Sequence, residues 1–210
     1  MKIPWMNLTL REFQAALASS SPTPGGGTAA AVALGQAAAL TIMVGDLTIA
    51  KEKWQSGWEI ANQAVALSIG IMTEAGSLAD KDSDSFDAVM NSFRMPKETD
   101  NEKEARMLEI HATTLVAAQI PFETAKLALE LIKLLPDLAK LGNTNAISDV
   151  GVAGLLASAA CKGALFNVNI NLSSLPDNLG GEIRKQSPLI LEECRELSRS
   201  LMKIVNELTN

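Results

Sequence analysis

Two carboxylates and a set of carboxamides carry the chemistry this chain can do. Residues 142–172 place Asn143, Asn145, Ser148 and Asp149 at the mouth of a long apolar run rich in Ala and Gly, with Asn167, Asn169 and Asn171 at its far end. An apolar helix belongs in a core. Amide and carboxyl groups bracketing one must find partners, because burying an unpaired amide costs about 1–3 kcal/mol. Those partners are either the protein's own backbone or a polar ligand. Asp82 and Asp84 stand ahead of another helical pattern. Acids there commonly cap a helix and favour its dipole, and Asp149 admits the same account. Two carboxylates beside an Asn-rich, apolar-walled segment exceed what capping requires. If the helix continues, Asn167 and Asn171 share one face at i and i+4.

A second element is the turn Pro24, Gly25, Gly26, Gly27, Thr28, which leads into a helix N-terminus. Exposed N–H groups at such a terminus can hold an anion; alternatively the glycines only allow close packing. No Gly-Lys-Ser/Thr follows, so this is not a phosphate loop. His111 is the only histidine, and Cys161 and Cys194 lie far apart in sequence. That set is too sparse for zinc or for a Cys-His dyad, and we expect no metal. Acid–base work falls to Asp, Glu or Lys, with Asn and Ser orienting. Lys97, after Met95-Pro96, and Lys51 are each ordinary solvated lysines unless they meet an anionic ligand tail.

The elements that position these groups read as helices throughout. Thr9 caps a short helix carrying Leu10, Phe13, Ala16 and Leu17. The prolines and glycines of residues 20–27 end it. Residues 28–53 form one long helix, apolar on nearly every face and therefore central. Residues 57–79 form a third helix. Residues 82–85 supply caps for a separate helix over 85–94, which Pro96 stops. Thr99 with Glu102 makes a capping box for the next helix, and Pro121 kinks or breaks it. Residues 122–141 continue to Gly142. Asn145 or Ser148 starts the helix towards Asn167, and a last amphipathic helix covers about 179–208. The expected fold is a single all-α bundle of seven or eight helices with no sheet, forming one domain over residues 1–210.

Composition agrees. Of the 210 residues 47% are hydrophobic but only 4% aromatic, with no Tyr, which favours close helix packing over sheets. The net charge of -6 and the lack of a basic stripe argue against nucleic acid. The uncharged stretch 13–45 is long enough for a membrane span, but its first half is a turn and its second half mostly Ala and Gly, so it reads as loop and buried helix. No signal peptide is visible, and two buried thiols suit a reducing cytoplasm.

Together these segments resemble the cyclodeaminase/cyclohydrolase family of folate enzymes. The resemblance rests on Pro24-Gly25-Gly26-Gly27-Thr28 before the Ala-rich helix, and on Asp82 to Phe86 leading through Val89-Met90 to Arg94-Met95-Pro96-Lys97. Glu102-Lys103 and Arg106 follow, then Gly142-Asn143-x-Asn145, Ser148-Asp149, Val152-Ala153 and Asn167-Val168-x-Ile170-Asn171-Leu172. The family usually has Ser at the place of Thr28 and Leu at that of Met95, and the match around Lys51 is looser. The resemblance implies a helical homodimer or higher oligomer that binds a reduced folate and uses no metal or redox cofactor.

The implied reactions act on the one-carbon unit joining N5 and N10 of tetrahydrofolate. In cyclohydrolysis water adds to the cationic methenyl carbon and the C–N5 bond then breaks, giving 10-formyltetrahydrofolate. In cyclodeamination N10 attacks a formimino carbon on N5 and ammonia leaves. Each needs a base, an acid for the departing nitrogen and a negative field around a cationic carbon. On this resemblance Asp82 and Asp149 are the acid–base or electrostatic residues. Asn143, Asn145, Asn167 and Asn171 orient folate or water, with Ser148 and the glycine turn bordering the same cleft. Lys97 faces the glutamate tail or assists catalysis, and Lys51 binds. With no formiminotransferase domain in the chain, the expectation leans to cyclohydrolase. Cyclodeaminase is the alternative, and a folate-binding or scaffold oligomer the second.

Overall fold

A computed structural model describes residues 3–209, and among these there are six α-helices and no strand. They are α1 (Leu10–Leu17), α2 (Gly26–Ile49), α3 (Trp58–Phe93), α4 (Asp100–Leu141), α5 (Ile147–Ser173) and α6 (Gly181–Thr209). The all-α expectation holds, with fewer and longer helices than the breaker residues suggested.

Helix α2 is apolar on every face because it has neighbours on most sides. It runs between α3 and α5, which α4 and α6 flank in turn. Leu34, Ala37, Ala38 and Val44 are fully buried. Gly45 lies so close to Val65 of α3 that a Cβ there would overlap it. Contacts from Gly26 to Asn167 and from Thr48 to Asn143 run α2 and α5 antiparallel along their full lengths. Both are long and apolar enough to cross a membrane, and here they pack side by side in the bundle.

Two expected breaks do not occur. Asp82 to Ser85 lie inside α3 and cap nothing. Cap-type residues are tolerated in mid-helix when their side chains have other partners. The Asp82 carboxylate accepts from Thr28, and Ser85 Oγ donates back to the Asp82 carbonyl. Pro121 is buried inside α4, which continues through it and through Pro136. The forecast capping box of Thr99 with Glu102 is formed, and Thr9 caps α1 as expected, closing with Glu12 a second box that was not forecast. The brief alternation at residues 167–172 is helical, as the last turns of α5. Neither Asn145 nor Ser148 caps α5. Instead Asn143 caps a 3-10 turn at Thr144–Ala146 that runs into it.

The apolar stripe of α6 is used within the chain, with Ile183, Ile190 and Leu201 buried. What remains open is the outer row of α5, where Val152, Leu155, Phe166 and Ile170 are each about half exposed or more. Cys161 and Cys194 are buried free thiols, and Cys194 Sγ approaches Ser158 Oγ at 3.9 Å.

Candidate active site

Where the start of α2, the last third of α3, Ala117 of α4 and the end of α5 meet, a cleft of about 250 Å³ opens. Its walls are Pro22, Thr23 and Gly25 to Gly27 on one side, Asp82, Ser85, Phe86 and Val89 on a second, and Ala117, Asn167, Ile170 and Asn171 on a third. Among the described residues that line it, Asp82 alone is charged.

Asp82 is set against the first turn of α2. A Cβ on Gly27 would lie 2.7 Å from both Cγ and Oδ2 of Asp82 and closer still to Oδ1, so only glycine admits the carboxylate there. Thr28 Oγ1 donates to Oδ2 at 2.9 Å. The anion that this helix start can hold is therefore supplied by the protein itself. Behind Thr28 stands a relay. Ser83 Oγ is 3.0 Å from Thr28 Oγ1, and Trp5 Nε1 donates to Ser83 Oγ at 2.9 Å. Since indole N–H only donates and the Thr28 proton goes to Asp82, Ser83 donates to Thr28. The three donors point in series towards one carboxylate, an arrangement in which each bond polarises the next. Burial nevertheless pushes the Asp82 carboxyl above its ordinary pKa, with bonds from the Thr28 side chain and backbone pulling the other way. A carboxyl held so is easier to protonate at neutral pH, as an acid–base group requires.

The amide wall is fixed by a proline. Pro121 has no N–H to give to the carbonyl four residues back, which belongs to Ala117. That carbonyl instead accepts from Asn171 Nδ2 at 2.7 Å. Asn167 Nδ2 donates to Gly163 O at 3.0 Å, one turn earlier in α5. Both amide groups are thus anchored by their nitrogens, which leaves each Oδ1 as acceptor. A cleft with one basic oxygen pair, two amide oxygens and apolar flanks suits a flat, cationic, nitrogen-bearing ligand.

Residues 9–187 match the family model described as formiminotransferase-cyclodeaminase. The chain belongs to that family. Along 206 residues it is 39% identical to a methenyltetrahydrofolate cyclohydrolase from Methylorubrum extorquens, covering 97% of this chain and 99% of the relative. It is 28% identical to the formimidoyltransferase-cyclodeaminase of Rattus norvegicus over 191 residues, 90% of this chain and 35% of that longer protein. A crystal structure of formiminotetrahydrofolate cyclodeaminase from Thermotoga maritima superposes with a TM-score of 0.79 at 27% identity, covering 97% of this chain and 96% of the other.

Not all residues that the family resemblance picks out lie at this cleft. Gly25, Gly26, Gly27, Thr28, Asp82, Asn167 and Asn171 converge there. Asn143, Asn145, Ser148, Asp149 and Lys51 sit at the opposite end of α2 and α5. Thr28 and Thr48 bound that separation, and twenty residues of helix span about 30 Å. Asn143 is committed to structure. Its N–H donates to Thr48 Oγ1 at 3.0 Å, its Nδ2 to Leu47 O at 3.1 Å, and its Oδ1 accepts from the Asn145 N–H at 3.0 Å. It thereby satisfies an orphan carbonyl at the end of α2. Asp149 lies in the first turn of α5, and Lys51 and Ser148 are exposed. Lys97 is exposed in the link between α3 and α4, outside the cleft lining. The picture of Asp82 and Asp149 flanking one ligand is therefore corrected within a single subunit, because a rigid antiparallel pair holds them apart. His111 lies on α4 among apolar neighbours and away from the cleft.

Sequence reasoning gave no site role to Ser83, Phe86, Val89 or Trp5, although the first three fall in the stretch that carries the resemblance. Phe86 and Val89 are four and seven residues after Asp82, so a helix continuing through Asp82 is the signal that would have found them. Among the described residues no group of three or more His, Cys, Asp or Glu could hold a metal.

Proposed function

We propose that this protein is a methenyltetrahydrofolate cyclohydrolase, hydrolysing 5,10-methenyltetrahydrofolate to 10-formyltetrahydrofolate. The reading is carried by 39% identity along nearly the whole of both chains to a protein of that name, joined to a cleft centred on one part-buried carboxylate. In this reading the cationic methenyl carbon sits beside Asp82. Water adds to that carbon and its proton passes to the carboxylate, giving a neutral tetrahedral adduct. The protonated Asp82 then gives the proton to N5 as the C–N5 bond breaks. The hydroxyl oxygen becomes the formyl oxygen and its own proton leaves to solvent, so one proton is released per turnover. Asn167 and Asn171 accept hydrogen bonds from the pterin or the attacking water. The chemistry asks for no metal or redox cofactor.

Loss of the near-ultraviolet absorbance of methenyltetrahydrofolate on mixing with purified protein, faster than the uncatalysed rate, is the expected result. No acceleration would sink the proposal and leave a folate-binding or scaffold protein. Cyclodeamination is the second reading, favoured by the fold shared with the Thermotoga maritima enzyme. Ammonia release from formiminotetrahydrofolate measures it directly.

The working unit is proposed to be a homodimer in the cytoplasm. The half-exposed row Val152, Leu155, Phe166 and Ile170 is the kind of apolar surface that obligate interfaces cover. A second subunit is also what Asp149 needs to take part in chemistry at Asp82, given the length of the helices between them. Sedimentation at micromolar concentration is expected to give a dimer or larger; a compact active monomer would refute it.

A further inference from the structure

Next to the cleft, and sharing Pro22 and Phe86 with it, lies a second hollow of about 360 Å³ lined also by Asp87, Met90, Asn91 and Arg94. The two hollows are one continuous surface that winds around the last three turns of α3. Along it come a carboxylate at Asp82, apolar side chains at Phe86 and Met90, both more than a third exposed, and a guanidinium at Arg94. We propose that Arg94 binds the α-carboxylate of the substrate's glutamyl tail, with Asp87 accepting the tail's amide N–H and Phe86 and Met90 carrying the aminobenzoyl ring. This rests on the folate reading above and assigns the tail to Arg94 rather than to Lys97.

Three observations support it. Arg94 Nη1 donates to Asn91 Oδ1 at 3.0 Å, which uses one of five donors and holds the side chain back along the helix at the second hollow, which both residues line. Twelve residues separate Asp82 from Arg94, a rise of about 18 Å, which the guanidinium shortens, by reaching back along its own helix to Asn91, to the scale of a folate's non-pterin half. The end of α3 is braced, so the guanidinium has a firm base: Arg106 Nε and Nη2 donate to the Phe93 carbonyl at 3.3 and 3.1 Å, and Thr113 Oγ1 donates to Ser92 Oγ at 3.3 Å. Asp87 would repel a bare anion such as phosphate. An N-acylated glutamate offers an N–H beside its carboxylate, so one cation and one carboxylate together select it.

The test compares 5,10-methenyltetrahydrofolate with 5,10-methenyltetrahydropteroate, which lacks the glutamate. In wild type the ratio of kcat/KM for the two favours the tailed compound. Arg94→Gln is expected to lower that ratio by about tenfold or more, the worth of a charged hydrogen bond, and Arg94→Lys to restore part of it. An unchanged ratio in Arg94→Gln overturns the assignment. A second arm needs no turnover: calorimetric titration of N-(4-aminobenzoyl)glutamate into wild type is expected to show binding that Arg94→Gln weakens by a similar factor. Equal binding by both proteins overturns the assignment even if the cyclohydrolase reading stands. Binding lost in the variant supports the subsite even if the methenyl compound proves not to be turned over.

Discussion

Gly27→Ala is the smallest change that addresses the Asp82 carboxylate without touching it. The added Cβ would stand 2.7 Å from Cγ and Oδ2 of Asp82 and nearer to Oδ1, where ordinary contact begins at 3.4 Å. Relief at the alanine is not available, since Gly27 is in the first turn of α2 with its backbone held there. The carboxylate must therefore retreat by about 1 Å, a displacement of the size that can cost a reaction about 10²-fold. Retreat also stretches the 2.9 Å bond from Thr28. The fold has less to lose, because alanine is a better helix former than glycine by up to about 1 kcal/mol, which offsets part of the crowding. The expected result is turnover of the methenyl substrate reduced by about 10²-fold with helical circular dichroism intact and a melting temperature within a few degrees of wild type. Gly26→Ala is the control, since its Cβ would meet Asn167 Nδ2 at a comfortable 3.8 Å, and a much smaller effect is expected. Wild-type kcat in Gly27→Ala would refute the placement of Asp82 at the reacting carbon; general unfolding would show that the turn is structural.

Asp82→Asn is expected to lower turnover by about 10²-fold or more while raising the melting temperature at pH 7. Burial holds the folded-state pKa above the ordinary 3.8, so the carboxyl costs no stability below that value and costs progressively more as pH rises through the folded one; the gap between variant and wild type should narrow towards pH 4, and a gap constant with pH would contradict this. Pro121→Ala restores an N–H that competes with Asn171 Nδ2 for the Ala117 carbonyl, so it should mimic Asn171→Ala in raising KM, and the double variant should be no worse than the single ones; additive losses would separate the two residues. Asp149→Asn is expected to cut turnover by about 10²-fold, and mixing it with Asp82→Asn to recover about a quarter of wild-type activity through one intact site per mixed dimer. Full activity in Asp149→Asn alone would make that residue an acid of the helix's first turn and no more.

Local rules worked where the outcome was local. Thr9 with Glu12 and Thr99 with Glu102 close their capping boxes because each needs only four consecutive residues. They failed where a distant partner changed the balance. Asp82 and Ser83 look like caps in isolation, and inside α3 they survive because Thr28 and Trp5, more than fifty residues away, take up their polar atoms. Pro121 looks like a break, and α4 absorbs it because Asn171 of another helix fills the carbonyl it leaves bare. Both misreadings fall at the cleft, Asp82 on its wall and Pro121 one turn beyond Ala117, which lines it. A helix can carry groups that disfavour it only where something outside the helix binds them, so two such places facing each other mark where polar atoms from separate elements have been drawn together.

The split of the candidate residues follows from the same logic on a larger scale. The stretch from Asn143 to Asn171 reads as one motif, but it is a helix about 40 Å long at 1.5 Å per residue, and residues at its two ends cannot meet one small ligand. Spacing at i and i+4 correctly joined Asn167 to Asn171, since it reports neighbours on one turn. The same rise puts Asp149 about 27 Å from Asn167, so a helix running unbroken from Ser148 to Asn167 already places that carboxylate at the other end. Asn143 shows what the near end does: two hydrogen bonds, to Thr48 Oγ1 and Leu47 O, clasp the start of α5 to the end of α2, which keeps the two helices in register. That register is what places Asn167 beside Gly26 at the other end. Part of the motif thus serves the site from about 30 Å away by fixing the helix that carries its amides.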